Sequence, residues 1–329
     1  MDVTAFCRQS RVLIVAGKGG VGKTTITAAL AHMAARAGLS VLLIDLEGKS
    51  SLTGAFGSEG ALGYEEMDLV VEGGASIRGR RLTPDDALLE YLADHGMRRV
   101  SKRLVSSGAI DVVATAIPGI RDILVLGKIK QLERDGVADL ILVDAPATGH
   151  AMTFLSSASG LLDAARSGPV RNQASDVVEM LIDPDRCQVA LVTLPEEMPV
   201  NEAVEAAEFL KDRVGITLGP LVVNGCIPDI PDLNMDPQVA ADLAAVDLPK
   251  EQVAVLRAAA SFRTSRRMLQ LEQRDRLGAA LEVPQLATPM LSSDSIGPKE
   301  LELLSGALAT GVGTLTDYHA SSTRRQGKP

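Results

Sequence analysis

Tryptophan is missing from this sequence, and aromatic residues of all kinds make up 2% of it. An interior built this way must be aliphatic, and platforms on which nucleobases stack are not expected. Cysteine is scarce: Cys7, Cys187 and Cys226 are scattered, with no C-x-x-C pair. That excludes a disulfide framework and a clustered thiolate site, and leaves each thiol as a small buried hydrophobe. No apolar run approaches the roughly 20 residues that span a bilayer. The first ten residues, MDVTAFCRQS, lack the basic-then-apolar layout of a secretory signal, so a cytoplasmic protein that is not integral to a membrane is expected. Positive charge is in deficit. The formal net charge is −9, which argues against nucleic acid as the main partner. Two local basic stretches, MRRVSKR and RTSRR, read as solvated helix faces, and PKELELLSGAL is acidic where a membrane-surface helix would be basic.

What is present is a soluble globular composition: 329 residues, 46% hydrophobic and 23% charged. Apolar runs alternate with helical patterns. RVLIVA, SVLLIDLEG, ADLILVDAPATGH, CQVALVTL, GPLVVNG and VPQLAT read as strands, and continuous apolar runs of this kind fit parallel strands covered on both faces. Helices such as NEAVEAAEFLKDRV supply the crossovers. The expected fold is α/β, a doubly wound, mostly parallel sheet with its ligands at the carboxyl ends of the strands. A single domain over residues 1–310 is expected, with helical insertions at about 82–136 and 151–183 and a flexible tail over 311–329. Each insertion reads either as extra crossover packing or as a lid or partner-binding subdomain.

The chemistry is concentrated in GKGGVGKTT, residues 17–25. Gly17, Gly22, Lys23 and Thr24 satisfy G-x-x-x-x-G-K-[ST], between an apolar strand and an Ala-rich helix. The loop of Gly17, Gly19, Gly20, Val21 and Gly22 turns backbone N–H groups inward around phosphate oxygens. The helix that starts at Thr24 or Thr25 points its positive end at the same anion. Lys23 adds a mobile charge for the β- and γ-phosphates, and the Thr24 hydroxyl is a ligand for Mg²⁺. Asp144 closes the run ADLILVD, where a carboxylate can hold the water shell of that ion. Asp45 also ends a strand; it is a candidate to orient an attacking water and a further metal-shell carboxylate, with Glu47 as its competitor. Lys18 is a second lysine in the loop, either a solvated residue or a cation for another task.

At this point the residues resemble a family. GKGGVGKTT is similar to the deviant phosphate loop of the arsenite-pump ATPase, the guided-entry ATPase for tail-anchored proteins, and the septum-site and partition ATPases. DAPATGH resembles switch II of the first two, VVNG with Asn224 resembles their adenine-reading Asn, and TPMLSSDSIGPKELELLS resembles their closing adenine loop, with Pro289 against the base. AIPGIRDILVLGKIK resembles the helix after a Pro-Gly turn in the same proteins. The likeness covers most of residues 11–310, and it is nearest to actinobacterial members. It implies the P-loop NTPase fold, ATP and Mg²⁺ as cofactors, and work as a homodimer or as a heterodimer with a related ATPase subunit. It also implies a protein client or membrane-protein partner. For Lys18 it implies a reach across the dimer interface to the opposite nucleotide, the logic of an arginine finger.

The sequence departs from that pattern in places. Switch I of the family reads Asp-Pro-Ala, and here it is DLEG, residues 45–48. The zinc-binding C-x-x-C of the guided-entry ATPase, a cysteine cluster for arsenite, and a dense Met-rich groove after His150 are all missing. Two functions follow: an ATPase switch that closes and opens a dimer, or a nucleotide-gated binding module with little turnover. Partition-type DNA work conflicts with the acidic balance, and a small-molecule ligase has no visible second-substrate motif.

Overall fold

A computed structural model describes residues 1–48, 50–69, 75–94, 119–164 and 166–315. In chain order the elements are α1 (Val3–Cys7), β1 (Val12–Gly17), α2 (Lys23–Arg36), β2 (Val41–Asp45), α3 (Ser50–Ala55), β3 (Met67–Leu69), β4 (Ile77–Arg81) and α4 (Pro84–Asp94). Then come α5 (Ile120–Arg134), β5 (Leu140–Asp144), α6 (Thr148–Ala164), α7 (Pro169–Ile182), β6 (Cys187–Thr193) and α8 (Glu197–Phe209), the last continuing as a π-turn over Leu210–Val214. The chain ends with β7 (Thr217–Leu218), β8 (Leu221–Cys226), α9 (Pro237–Leu243), α10 (Lys250–Ala280), β9 (Gln285–Pro289) and α11 (Pro298–Thr314).

The strands form one sheet in the order β3-β4-β2-β5-β1-β6-β8-β9, with β7 paired to β6. Every pairing is parallel except β3 against β4. This is the doubly wound sheet expected from the apolar runs. Each of those runs is a strand, and β1, β2, β5 and β6 are buried along their whole length. One aliphatic core lies between the sheet and α5–α8, built on residues such as Ile14, Ile44, Leu126, Leu155 and Val189. The other lies on the opposite face, where Val15, Leu43, Leu30, Leu52 and Leu304 pack with α1, α2, α3 and α11. α2 is Ala-rich because it is covered by the sheet on one side and α11 on the other. Small side chains let both neighbours approach, and Ala28, Ala31, Ala34 and Ala35 are fully buried.

The expected insertions are helical where they are described, as α4 and α5 and as α6 and α7; residues 95–118 of the first, with MRRVSKR, lie outside the described residues. Gly168 and Pro169 separate α6 from α7: Gly168 takes φ 103° and Pro169 opens the next helix without needing an N–H partner. The last helix runs through Thr314, beyond the expected start of the tail. Val312 is fully buried and the Leu315 carbonyl accepts the Met1 amino group at 2.7 Å. Among the described residues no helix is long and apolar enough to cross a membrane.

Candidate functional site

The parallel register sets out the site. Val15 of β1 lies opposite Asp144 of β5, Asp144 opposite Asp45 of β2, and Asp45 opposite Arg81 of β4. Three neighbouring strands, β5, β2 and β4, therefore end at one level, and β1 runs two residues further to Gly17, where the loop leaves it. That loop turns into α2 through Gly22, which caps the helix at φ 92° with no side-chain cap bond. A β-carbon at Gly22 would meet the Asn224 amide nitrogen at 2.3 Å, so both the backbone angle and the contact require glycine.

Lys23 is 5% exposed, and its ammonium donates to the Lys18 carbonyl at 3.1 Å across the loop. Thr24 Oγ1 donates to Asp144 Oδ2 at 2.6 Å, and Thr27 Oγ1 stands 3.4 Å from Asp144 Oδ1. Asp144 and Asp45 are both buried. A hydroxyl and two carboxylates are hard oxygen donors, which suits Mg²⁺ rather than a thiophilic metal. Among the described residues no group of three His, Cys, Asp or Glu side chains forms a metal cage by itself.

After β2 the sequence DLEG, where the resemblance leads one to expect Asp-Pro-Ala, closes a turn of its own. Asp45 Oδ1 accepts the N–H groups of Glu47 at 2.8 Å and Gly48 at 2.9 Å, so the carboxylate folds the loop over itself as an Asx turn does. Gly48 follows at φ 74°, and a β-carbon there would lie 2.5 Å from the Arg81 guanidinium carbon. Of the two competing carboxylates, Asp45 is buried beside Asp144 and Glu47 is exposed. Switch II leaves Asp144 and enters α6 at Thr148 without a spacer; Ala147 stands 3.9 Å from where a Gly19 β-carbon would be.

Lys18 forms an ion pair with Glu202 of α8, both side chains partly exposed. Asn224 lies at the end of β8 against the phosphate loop: its amide nitrogen donates to the Val21 carbonyl at 2.9 Å, and its oxygen accepts from Thr288 at 2.8 Å. Pro289 ends β9 opposite Cys226, two residues beyond Asn224. Gly17, Gly19, Gly20, Thr24 and Thr25 all lie in this loop-to-helix turn. The motif thus brings its own residues together with Asp45, Asp144 and Asn224. Glu202, Thr288 and Arg81 join them from other elements with no motif to announce them, and Thr27 joins from α2 one turn beyond the motif.

Cys7 and Cys187 stand apart from this site, and Cys226 lies at its base end opposite Pro289. All three are free. Burial pushes Cys7 up to about 12 and raises Cys187 and Cys226 as well, which keeps them protonated and unreactive. RTSRR, on α10, is engaged with acidic neighbours: Arg266 with Glu196 and Arg267 with Asp229. PKELELLSGAL is the start of α11, with Leu301, Leu304 and Leu308 buried.

A glycine-rich loop closing onto a helix, a buried lysine and paired strand-end carboxylates on a parallel sheet define a P-loop nucleotide hydrolase. Residues 10–165 match the family model described as anion-transporting ATPase. The chain is 34% identical to the ATPase BagA of Mycobacterium tuberculosis over 91% of this chain and 92% of that protein. It is 26% identical to the ATPase GET3 of Chaetomium globosum over 92% and 91% of the two chains. It is 27% identical to a Halobacterium salinarum protein assigned as an arsenical pump-driving ATPase, over 92% of this chain and 45% of that protein. The chain belongs to the anion-transporting ATPase family, and its class is that of an ATP hydrolase.

Proposed function

We propose that this chain is a Mg-ATP-dependent switch that closes as a dimer over its nucleotides and couples hydrolysis to a protein or membrane-protein partner. The observation that carries the reading is the line of buried carboxylates, Asp45 and Asp144, level with the phosphate loop and joined to it through Thr24. Loop N–H groups and Lys23 bind the phosphates. Thr24, with Asp144 and Asp45 around it, would hold Mg²⁺, which neutralises charge on the β- and γ-phosphate oxygens when bound. Asp45, buried at the end of β2 level with Asp144, has the task of orienting a water toward the γ-phosphate. Asn224 and Pro289 take the base. Switch II passes a γ-phosphate-dependent shift directly into α6.

Dimeric closure suits Lys18, whose side chain is partly exposed and held by a partly exposed ion pair with Glu202. A nucleotide-gated module with little turnover is the competing reading, because DLEG ties one oxygen of Asp45 into its own turn. Steady phosphate release separates the two. Asp45→Asn is expected to keep Mg-ATP binding while turnover falls by roughly 10²-fold or more, the range for a lost proton-handling or positioning group. A wild-type chain that binds ATP but releases no phosphate supports the module. Full loss in Glu47→Gln with little loss in Asp45→Asn transfers the role to Glu47.

A further inference from the structure

The base end of the site is held by side chains outside the phosphate-loop motif. β8 and β9 pair in register as far as Val223 and Ala287, and the register then slips before Cys226 meets Pro289. The slip frees Asn224 from the ladder. Its flanking backbone is satisfied by Gln270 of α10, which is 8% exposed. Gln270 Oε1 accepts the Ile227 N–H at 2.7 Å, and its amide nitrogen donates to the Gly225 carbonyl at 3.2 Å. The bulge is thereby locked and directs the half-buried Asn224 side chain at the phosphate loop.

The orientation of that amide follows from its partners. The Val21 carbonyl can only accept, so the group facing it at 2.9 Å is Nδ2. Oδ1 then faces Thr288, fully buried in β9, whose hydroxyl donates to it at 2.8 Å. One Oδ1 lone pair and one Nδ2 hydrogen are left over for a ligand.

We infer that Thr288 is a specificity-determining positioning residue: with the Val21 carbonyl it holds Asn224 in the orientation that offers a base one acceptor beside one donor. Adenine carries the complement on its N6/N7 edge. Guanine carries two acceptors there, O6 and N7, and would set a lone pair against Oδ1. Val21 belongs to the phosphate loop, so its carbonyl fixes the amide only relative to that loop. Thr288, buried on a sheet strand, fixes the amide relative to the sheet itself. The inference rests on the reading that the nucleotide base lies at Asn224.

The test compares full-length wild type, Thr288→Val, Thr288→Ser, Thr288→Ala and Asn224→Ala. The readouts are the ratio of kcat/KM for ATP over GTP and the ratio of Kd for ADP and GDP by calorimetry. Thr288→Val keeps the volume and removes the donor, and it is expected to cut the adenine preference about five- to tenfold, the value of one hydrogen bond. Thr288→Ser should restore the wild-type ratio. Thr288→Ala, also without a donor, takes the place of Thr288→Val if that chain does not fold. An unchanged ratio in the donorless variants, with a changed ratio in Asn224→Ala, overturns the role of Thr288 and leaves base reading by Asn224 intact. An unchanged ratio in Asn224→Ala removes the base-reading assignment itself, and the role of Thr288 with it.

Discussion

Lys18 and Lys23 share one loop and meet different fates. Lys23 is almost fully buried within the phosphate loop, where a charge is costly unless it is matched. Removing it takes away a charge-assisted contact of roughly 1.5–3 kcal/mol. Lys23→Ala is therefore expected to lose roughly 10- to 150-fold in ATP affinity, and unchanged Mg-ATP binding by calorimetry would exclude it from the phosphate site. Lys18 is tied to Glu202, but a partly exposed pair of this kind is worth about 1 kcal/mol or less. It holds Lys18 in place without preventing its release. Asp45 shows the same economy in switch I, where one carboxylate oxygen replaces the rigidity that proline would bring.

At the scale of elements, β4 and the α6–α7 pair carry the most information. β4 reads IRGRR and has no apolar run, so no strand is expected there. It forms because Ile77 and the Gly79 backbone face inward, and because Arg80 is buried over the Tyr64 ring at 4.5 Å with Glu66 and Glu90 nearby. Its reward is to place Arg81 beside Asp45 and Gly48. The sequence reads α6 and α7 as helices on which Leu155, Leu161, Leu162, Val177 and Leu181 either line a surface that opens in one nucleotide state or stay buried in both. Leu155, Leu161, Val177 and Leu181 are buried in this conformation, and Leu162 packs partly buried against the same core. A partner surface there must open. Amide exchange across residues 151–183 is therefore expected to differ between ADP and a non-hydrolysable ATP analogue, well beyond any change in β9. Equal exchange in chains saturated with each nucleotide would make these helices static packing.

For the whole molecule, the question is whether one chain holds a complete site. Lys18 points from its own loop to its own α8. If it serves a second subunit, Lys18→Ala should bind ATP nearly normally and fail to turn it over. Mixing it with Lys23→Ala should then recover part of the activity, since each chain supplies what the other lacks. A lone Lys18→Ala chain with full activity rules out action in trans.

The sheet, its strand ends and the phosphate loop were legible because they obey local rules. Continuous apolar runs demand cover on both faces, and a glycine-rich turn before a helix demands an anion. Asp45 and Asp144 were legible as the last residues of such runs. By itself, then, the sequence determined the α/β class, the family and the class of ATP hydrolase. Only the tertiary structure decided that Glu202 would hold Lys18, that Arg81 would lie against Gly48, and that Thr288 and Gln270 would aim Asn224 at Val21. Those partners lie up to about two hundred residues apart, from Asn224 back to Val21. No periodicity or spacing relates them, because they meet only through the register of neighbouring strands and the packing of α8 and α10 beside the sheet.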